Sequence, residues 1–504
     1  MKRRTFLSLL GVGAGCSRKS DLRGLAASSG HAAMPDSLQE QVGRYALPRL
    51  ENVSGQGLAL TARRTVADLG VMRSEAWTLN DSFPAPTIRL RRGQTARIDL
   101  ENDLPEQTIL HWHGLTVPEL ADGHPRLAID PGSTYSYEFA VNDRAGTYWY
   151  HPHTHGRTAA QTYMGLAGML IVEDEEDEVI DLPTGEFDLP LILQDKRLAG
   201  ASSLVHDTMG PDLMMGYLGD TAFGNGIARP TTGVKRGRYR LRILNASNSR
   251  IFNLGLSTGA AFTLIGTDGG LLEAPVRVNR LMLATGERAD VLVDFSGRRP
   301  GERIMLRSFL FEIPGMMVMG MGRGMGPRGG MGARRGIGAV PQGAEMDLLE
   351  FVVLDSPQES HAPLAARLSQ IRRPSLSTEV RRRTFRFNSS MMNFHTINGR
   401  TFELERVDEQ VPLGQTEVWS LVNESEVPHP VHMHAGQFSV LSRSGGRNRV
   451  MPWETGLKDT VLVFPGETVD ILVRFDDYPG LFLLHCHNLE HEDMGMMLNF
   501  EVVE

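Results

Sequence analysis

Cysteine is almost missing from this 504-residue chain: Cys16 and Cys486 are the only two. If Cys16 is removed with a leader, no disulfide can form within the remainder. An excess of basic residues is missing as well. The net charge is −8, so nothing favours a nucleic-acid surface. No apolar run beyond the N-terminal stretch reaches the roughly 18–20 residues that span a bilayer. Long helical periodicity is scarce, and the acidic run from Glu173 to Glu178 reads most simply as a solvated linker. The chain is also too long for one core, and its length suggests two to four domains.

What is present begins with MKRRTFLSLLGVGAGC, in which Arg3 and Arg4 precede a short apolar stretch. Residues 1–33 resemble a twin-arginine signal, so export through the twin-arginine translocase, to the periplasm or otherwise out of the cytoplasm, is expected. Cys16 could carry a lipid anchor, although Gly13 is a poor residue three positions before such a cysteine. A mature chain would then keep one thiol, Cys486, flanked by His485 and His487. That setting suits a metal ligand better than a packing residue.

Two stretches align without gaps. PGSTYSYEFAVNDRAGTYWYHPH starts at Pro131 and PGETVDILVRFDDYPGLFLLHCH at Pro465; both carry Gly at offset 15 and His at offsets 20 and 22. TGERADVLVDF, from Thr285, repeats the first part without the histidine pair. Internal similarity of this extent means repeated domains. Each copy alternates apolar and polar residues with period two between Gly and Pro punctuation, which predicts strands. The expected fold is all-β, three Greek-key β-sandwiches near residues 50–175, 185–357 and 375–504.

Four His-x-His pairs occur: His111/His113, His151/His153, His432/His434 and His485/His487. On a strand, each pair projects to one face. Cys486 then faces away from His485 and His487, and His429 away from His432 and His434. One face can gather a thiol and imidazoles, while the other gathers eight imidazoles at a junction between the first and third domains. Eight is too many for one metal ion and about right for three.

HWHG, WYHPHTHG, HPVHMHAGQF and HCHNLEHEDMGMM, in this order, resemble the four copper signatures of the multicopper oxidases, and the resemblance spans roughly residues 50 to 504. It implies three cupredoxin-like domains holding four copper ions. His429, Cys486, His491 and Met496 would hold the type 1 ion, and His111 and His432 the type 2 ion. His113, His151, His153, His434, His485 and His487 would hold the type 3 pair. Asp122 and Glu492 match family acids that deliver protons to O2. His155 fits no ligand position. His31, His124, His206, His361 and His395 are expected at the surface or in structural roles, and Met494 and Met497 in packing. The middle domain, lacking ligands, would serve as spacer and wall.

The resemblance implies four one-electron oxidations coupled to reduction of O2 to two waters, with substrate oxidised near an accessible edge of His429. The Gly- and Met-rich stretch 315–336 carries thioethers suited to Cu(I), and copper-efflux oxidases have comparable insertions. Cu(I) is the expected substrate, in copper tolerance. Ser425 and Val427, however, stand where those oxidases place an Asp and a Met, which keeps laccase-like oxidation of phenols or aromatic amines open. Copper sequestration without turnover is a further alternative. A scaffold role would require missing ligands, and all twelve positions are filled. A monomer is expected.

Overall fold

The computed structural model describes residues 47–53, 57–175, 180–198, 202–314, 339–359, 361–376, 379–390 and 394–504. The expected signal, with Arg3, Arg4, Cys16 and His31, lies outside these residues, as does the Met-rich stretch 315–336.

The described strands form six sheets that pair into three sandwiches. The first joins a four-stranded and a five-stranded sheet between Leu50–Asn52 and Gly168–Glu173. The second joins seven and five strands between Asp188–Lys196 and Met346–Val353, and the third joins six and five between Arg381–Ser390 and Met497–Val503. Each encloses its own apolar core, around Trp112 and Tyr150, around Phe252 and Phe351, and around Trp419 and Phe500. Strand Thr95–Asn102 alternates exposed and buried along its whole length, the mark of a sheet with one face in water. Strand Gly146–Pro152 is buried throughout because its outer face meets the second sandwich, where Thr147 donates to Asp290 over 2.6 Å.

The three repeats occupy equivalent places. In each, the first strand lies in one sheet and the second crosses to the other: Thr134–Ala140 then Gly146–Pro152, Arg288–Asp294 then Arg303–Ser308, Thr468–Arg474 then Gly480–Cys486. The turn entering each first strand has its glycine at positive φ: Gly132 at 79°, Gly286 at 82° and Gly466 at 72°. That is a conformation a side chain would strain.

Helices are few and short. None among the described residues is long and apolar enough to cross a membrane. Helices Thr158–Met164 and Gly210–Met215, from the first two sandwiches, both pack against Leu489–Asp493 of the third. Asp493 accepts from the backbone amides of Thr158 and Ala159, at 2.8 and 3.0 Å, so the third sandwich caps a helix of the first. The acidic run is not a plain solvated linker where it is described. Glu173 ends a strand and pairs with Arg89, and Asp174 is buried and accepts from Ala145 N–H.

Candidate metal centre

Strand pairing places the histidines before any ion is considered. His111 lies opposite His151 in the first sandwich, and His432 opposite His485 in the third. The two strand pairs meet face to face. His111 stacks on His434 with ring centroids 3.8 Å apart, and His113 on His432 at 3.6 Å. All eight imidazoles are buried.

Their nitrogens converge in three groups. His111 and His432 face each other through their Nε2 atoms at 3.3 Å. His113, His151 and His487 form a second group, and His153, His434 and His485 a third. Nδ1 of His111 is held by the carbonyl of Asp122 at 2.6 Å, and Nδ1 of His432 by that of Asp459 at 2.9 Å. Each Nδ1–H therefore donates outward and each Nε2 lone pair points into the cluster. Burial pushes His111, His113, His432, His434 and His487 well below the usual imidazole range, with neighbouring imidazoles adding to the effect. It pushes His151 down to about 4 and His153 down to about 3. Neutral rings with free lone pairs are metal ligands. Both nitrogens of His487 lack any hydrogen-bond partner, and a bound cation would take up the lone pair of one of them.

On the opposite face of the same strand, Cys486 Sγ lies 3.3 Å from Nδ1 of His429 and 3.6 Å from Nδ1 of His491. The two imidazole nitrogens are 3.3 Å apart. Met496 is buried in the same core, and its backbone is tied on both sides: its carbonyl accepts from Cys486 N–H and its N–H donates to the carbonyl of His491. Burial pushes the Cys486 thiol up and His429 down to about 3. A thiol and two imidazoles converging in an apolar core that also contains Met496 fit copper as a soft electron-transfer ion.

Both candidate acids touch the imidazole cluster. Asp122 Oδ2 lies 2.7 Å from Nδ1 of His434, and burial raises its carboxyl well above the usual range. Glu492 sits between Nδ1 of His153, at 3.6 Å, and Nδ1 of His485, at 3.3 Å. Burial pushes Glu492 upward, but the facing imidazoles outweigh it and hold the carboxyl below its usual range.

Two sequence expectations need correction, on His429 and on the middle sandwich. His429 offers no open edge: it is buried, and Ser425 Oγ caps its Nε2 at 2.8 Å. Of the histidines expected at the surface or in structural roles, His395 and His124 are buried. The middle sandwich is more than a wall. Thr285 donates to the carbonyl of His487 over 2.6 Å, and a Cβ on Gly286 would meet the rings of His113 and His487 at 3.2 Å. Arg288 forms a two-pronged pair with Asp459, whose Oδ1 lies 3.0 Å from Nε2 of His113. Arg288 stands where the other repeats have Thr134 and Thr468, a charge out of pattern that could have been noticed. No motif announces Asp459.

Models of multicopper oxidase domains match residues 61–177, 204–312 and 373–504. The multicopper oxidase of Staphylococcus haemolyticus is 32% identical over 84% of this chain and 83% of its own length. The chain belongs to the multicopper oxidase family. A laccase from Pediococcus acidilactici has a similar structure, with TM-score 0.78, 31% identity and coverage of 91% of this chain and 93% of that one. So has a multicopper oxidase from Campylobacter jejuni described as a metallo-oxidase, with TM-score 0.78, 28% identity and coverage of 92% and 97%. The protein is thus an oxidoreductase of a copper-bearing family, with three cupredoxin-like sandwiches.

Proposed function

We propose that this multicopper oxidase oxidises Cu(I), one electron at a time, and uses four electrons to reduce O2 to two waters. The observation that carries the redox reading is the Cys486 strand, with its thiol in one cluster and the adjacent histidines in another. Four copper ions would supply the one-electron steps and the O2 chemistry: one on His429, Cys486, His491 and Met496, one on His111 and His432, and two on the remaining six histidines. The peptide units joining Cys486 to His485 and His487 form a short covalent path between the clusters. The carbonyls of Asp122 and Asp459 hold the first histidine pair in the metal-binding tautomer. Asp122 accepts from Nδ1–H of His434, and Glu492 offers acceptor oxygens to His153 and His485; both are suited to passing protons into a cluster that consumes four.

Two observations favour a small cation over a planar phenol: the thioethers of 315–336, and the burial of His429 under Ser425. The metallo-oxidase among the similar structures supports the same reading. Laccase-like oxidation is the second reading, favoured by Ser425 and Val427 at positions where an efflux oxidase has Cu(I) ligands. Oxygen uptake by the copper-loaded enzyme, with Cu(I) and a methoxylated phenol compared at equal concentration, tests the choice. Faster uptake with the phenol would reverse it. The paired arginines further suggest export of the folded enzyme, and conversion of Arg3 and Arg4 to lysine should then retain it in the cytoplasm.

A further inference from the structure

His395 lies on the short strand Phe394–Ile397, fully buried, with its ring stacked on that of His491 at 3.9 Å between centroids and 24° between planes. Its Nε2 is 2.7 Å from the carbonyl of Leu213, in helix Gly210–Met215 of the middle sandwich. A carbonyl only accepts, so Nε2 carries the proton and Nδ1 presents a lone pair. Ser389 Oγ, 2.7 Å from that Nδ1, must then donate to it. The oxygen of Ser389 in turn lies 3.5 Å from Nε2 of His429. The next carbonyl of the helix, that of Met214, accepts from Nε2 of His491 at 3.1 Å.

We propose that His395 is a positioning residue for the mononuclear centre, tying the His491 imidazole to the helix Gly210–Met215 and reaching the Ser425-capped His429 more weakly through Ser389, and so setting the centre's reduction potential. The proposal rests on reading His429, Cys486 and His491 as the type 1 copper site. Both ligand rings turn Nδ1 toward Cys486 and leave Nε2–H for an outer partner, and such partners fix ring orientation and ligand basicity. Two successive carbonyls of one helix address two stacked rings. Losing the His395 bond leaves the Leu213 carbonyl unsatisfied and removes one of the helix's ties to this site. The Met214 carbonyl is then held less firmly against His491, whose imidazole becomes a poorer donor to an oxidised metal.

The test uses copper-loaded full-length enzyme carrying His395→Phe, which keeps an aromatic ring for the stack but neither hydrogen bond. An upward shift of the type 1 reduction potential is expected, by about the 59 mV that a tenfold change represents for a one-electron couple. A changed electron paramagnetic resonance splitting and full copper content should accompany it. Ser389→Ala, which removes the bridge from His395 to His429 and keeps the bond to the Leu213 carbonyl, should shift the potential in the same direction by less. If both variants keep the wild-type potential and spectrum, His395 is core packing and the proposal falls. If His395→Phe does not fold, Ser389→Ala decides alone, and an unmoved potential overturns the bridge. Failure of the underlying copper assignment would look different, because the wild-type enzyme itself would lack a type 1 signal.

Discussion

The two clusters share the tripeptide His485–Cys486–His487 but are assembled in different ways. His429, Cys486 and His491 all come from the third sandwich, on two strands and the helix after the second of them. The eight imidazoles come four from the first sandwich and four from the third, with facing partners such as His111 and His432 separated by 321 residues. The first cluster is a property of one fold and the second of an interface. Damage to the fold-built site should stay local, whereas the interface-built site should be open to damage from any of the sandwiches that border it.

The sharpest break in this comparison is Cys486→Ser. It removes the only thiol of the fold-built site, so the blue charge-transfer band and substrate turnover should be abolished. The imidazole cluster should keep its copper. Metal analysis and visible spectroscopy check both halves, and a serine variant that stays blue would refute the type 1 assignment.

His434→Ala and His113→Ala attack the interface from opposite sides. Each should deplete the same trinuclear copper and leave the blue band in place. Full copper content in either variant would mean that the two sandwiches do not share one site.

Arg288→Met tests whether the middle sandwich belongs to the interface. It strands Asp459 in the interior without its partner, and breaking a buried pair in this way costs about 3–5 kcal/mol. Thermal stability should fall, and the copper bound beside His113 should become easier to remove with a chelator. An unchanged melting temperature with unchanged copper retention would return the middle sandwich to the role of spacer.

The smallest expected effect concerns a joint with no metal cluster. Lys196, from the middle sandwich, is buried against Tyr163 and Phe83 of the first, donates to the Tyr163 carbonyl, and is pushed down to about 7 by burial. Its folded value thus lies below its unfolded value near 10.5. Between pH 7 and about 10 the unfolded chain binds more protons at this site, so the contribution to stability rises with pH, by at most about 1.4 kcal/mol per pH unit. Below pH 7 both states are protonated and the slope vanishes. Lys196→Met should remove this slope, as measured by denaturant unfolding at pH 7, 8 and 9. An identical slope in the variant would mean that other groups set it.

The sandwiches and the sorting of ligands are legible in the sequence because both depend on period two. A strand that alternates faces must put Cys486 on one side and His485 on the other, whatever the rest of the chain does. What stays hidden in the sequence concerns contacts that no local pattern encodes. Burial of His395 under helix Gly210–Met215 depends on how the middle sandwich docks, and so does the reach of Arg288 to Asp459. The capping of His429 needs the turn at Ser425 to fold back toward the ring, which a four-residue separation permits but does not require. The middle repeat reads as inert in sequence because it lacks histidines, yet its turn contributes through a missing side chain at Gly286 and a backbone-directed hydroxyl at Thr285. Neither signals chemistry by residue type.

The matching registers, His111 opposite His151 and His432 opposite His485, have a consequence for symmetry. The first and third sandwiches meet as the two halves of a near-twofold dimer written into one chain, each offering two His-x-His pairs to the shared surface. The symmetry fails between the histidines of the second pair. Where the third sandwich has Cys486 between its histidines, the first has Pro152, paired with Leu110 and bearing neither thiol nor amide hydrogen. The junction is therefore even-handed in imidazoles but polar in wiring, with one half a terminal for charge and the other its mirror without a lead.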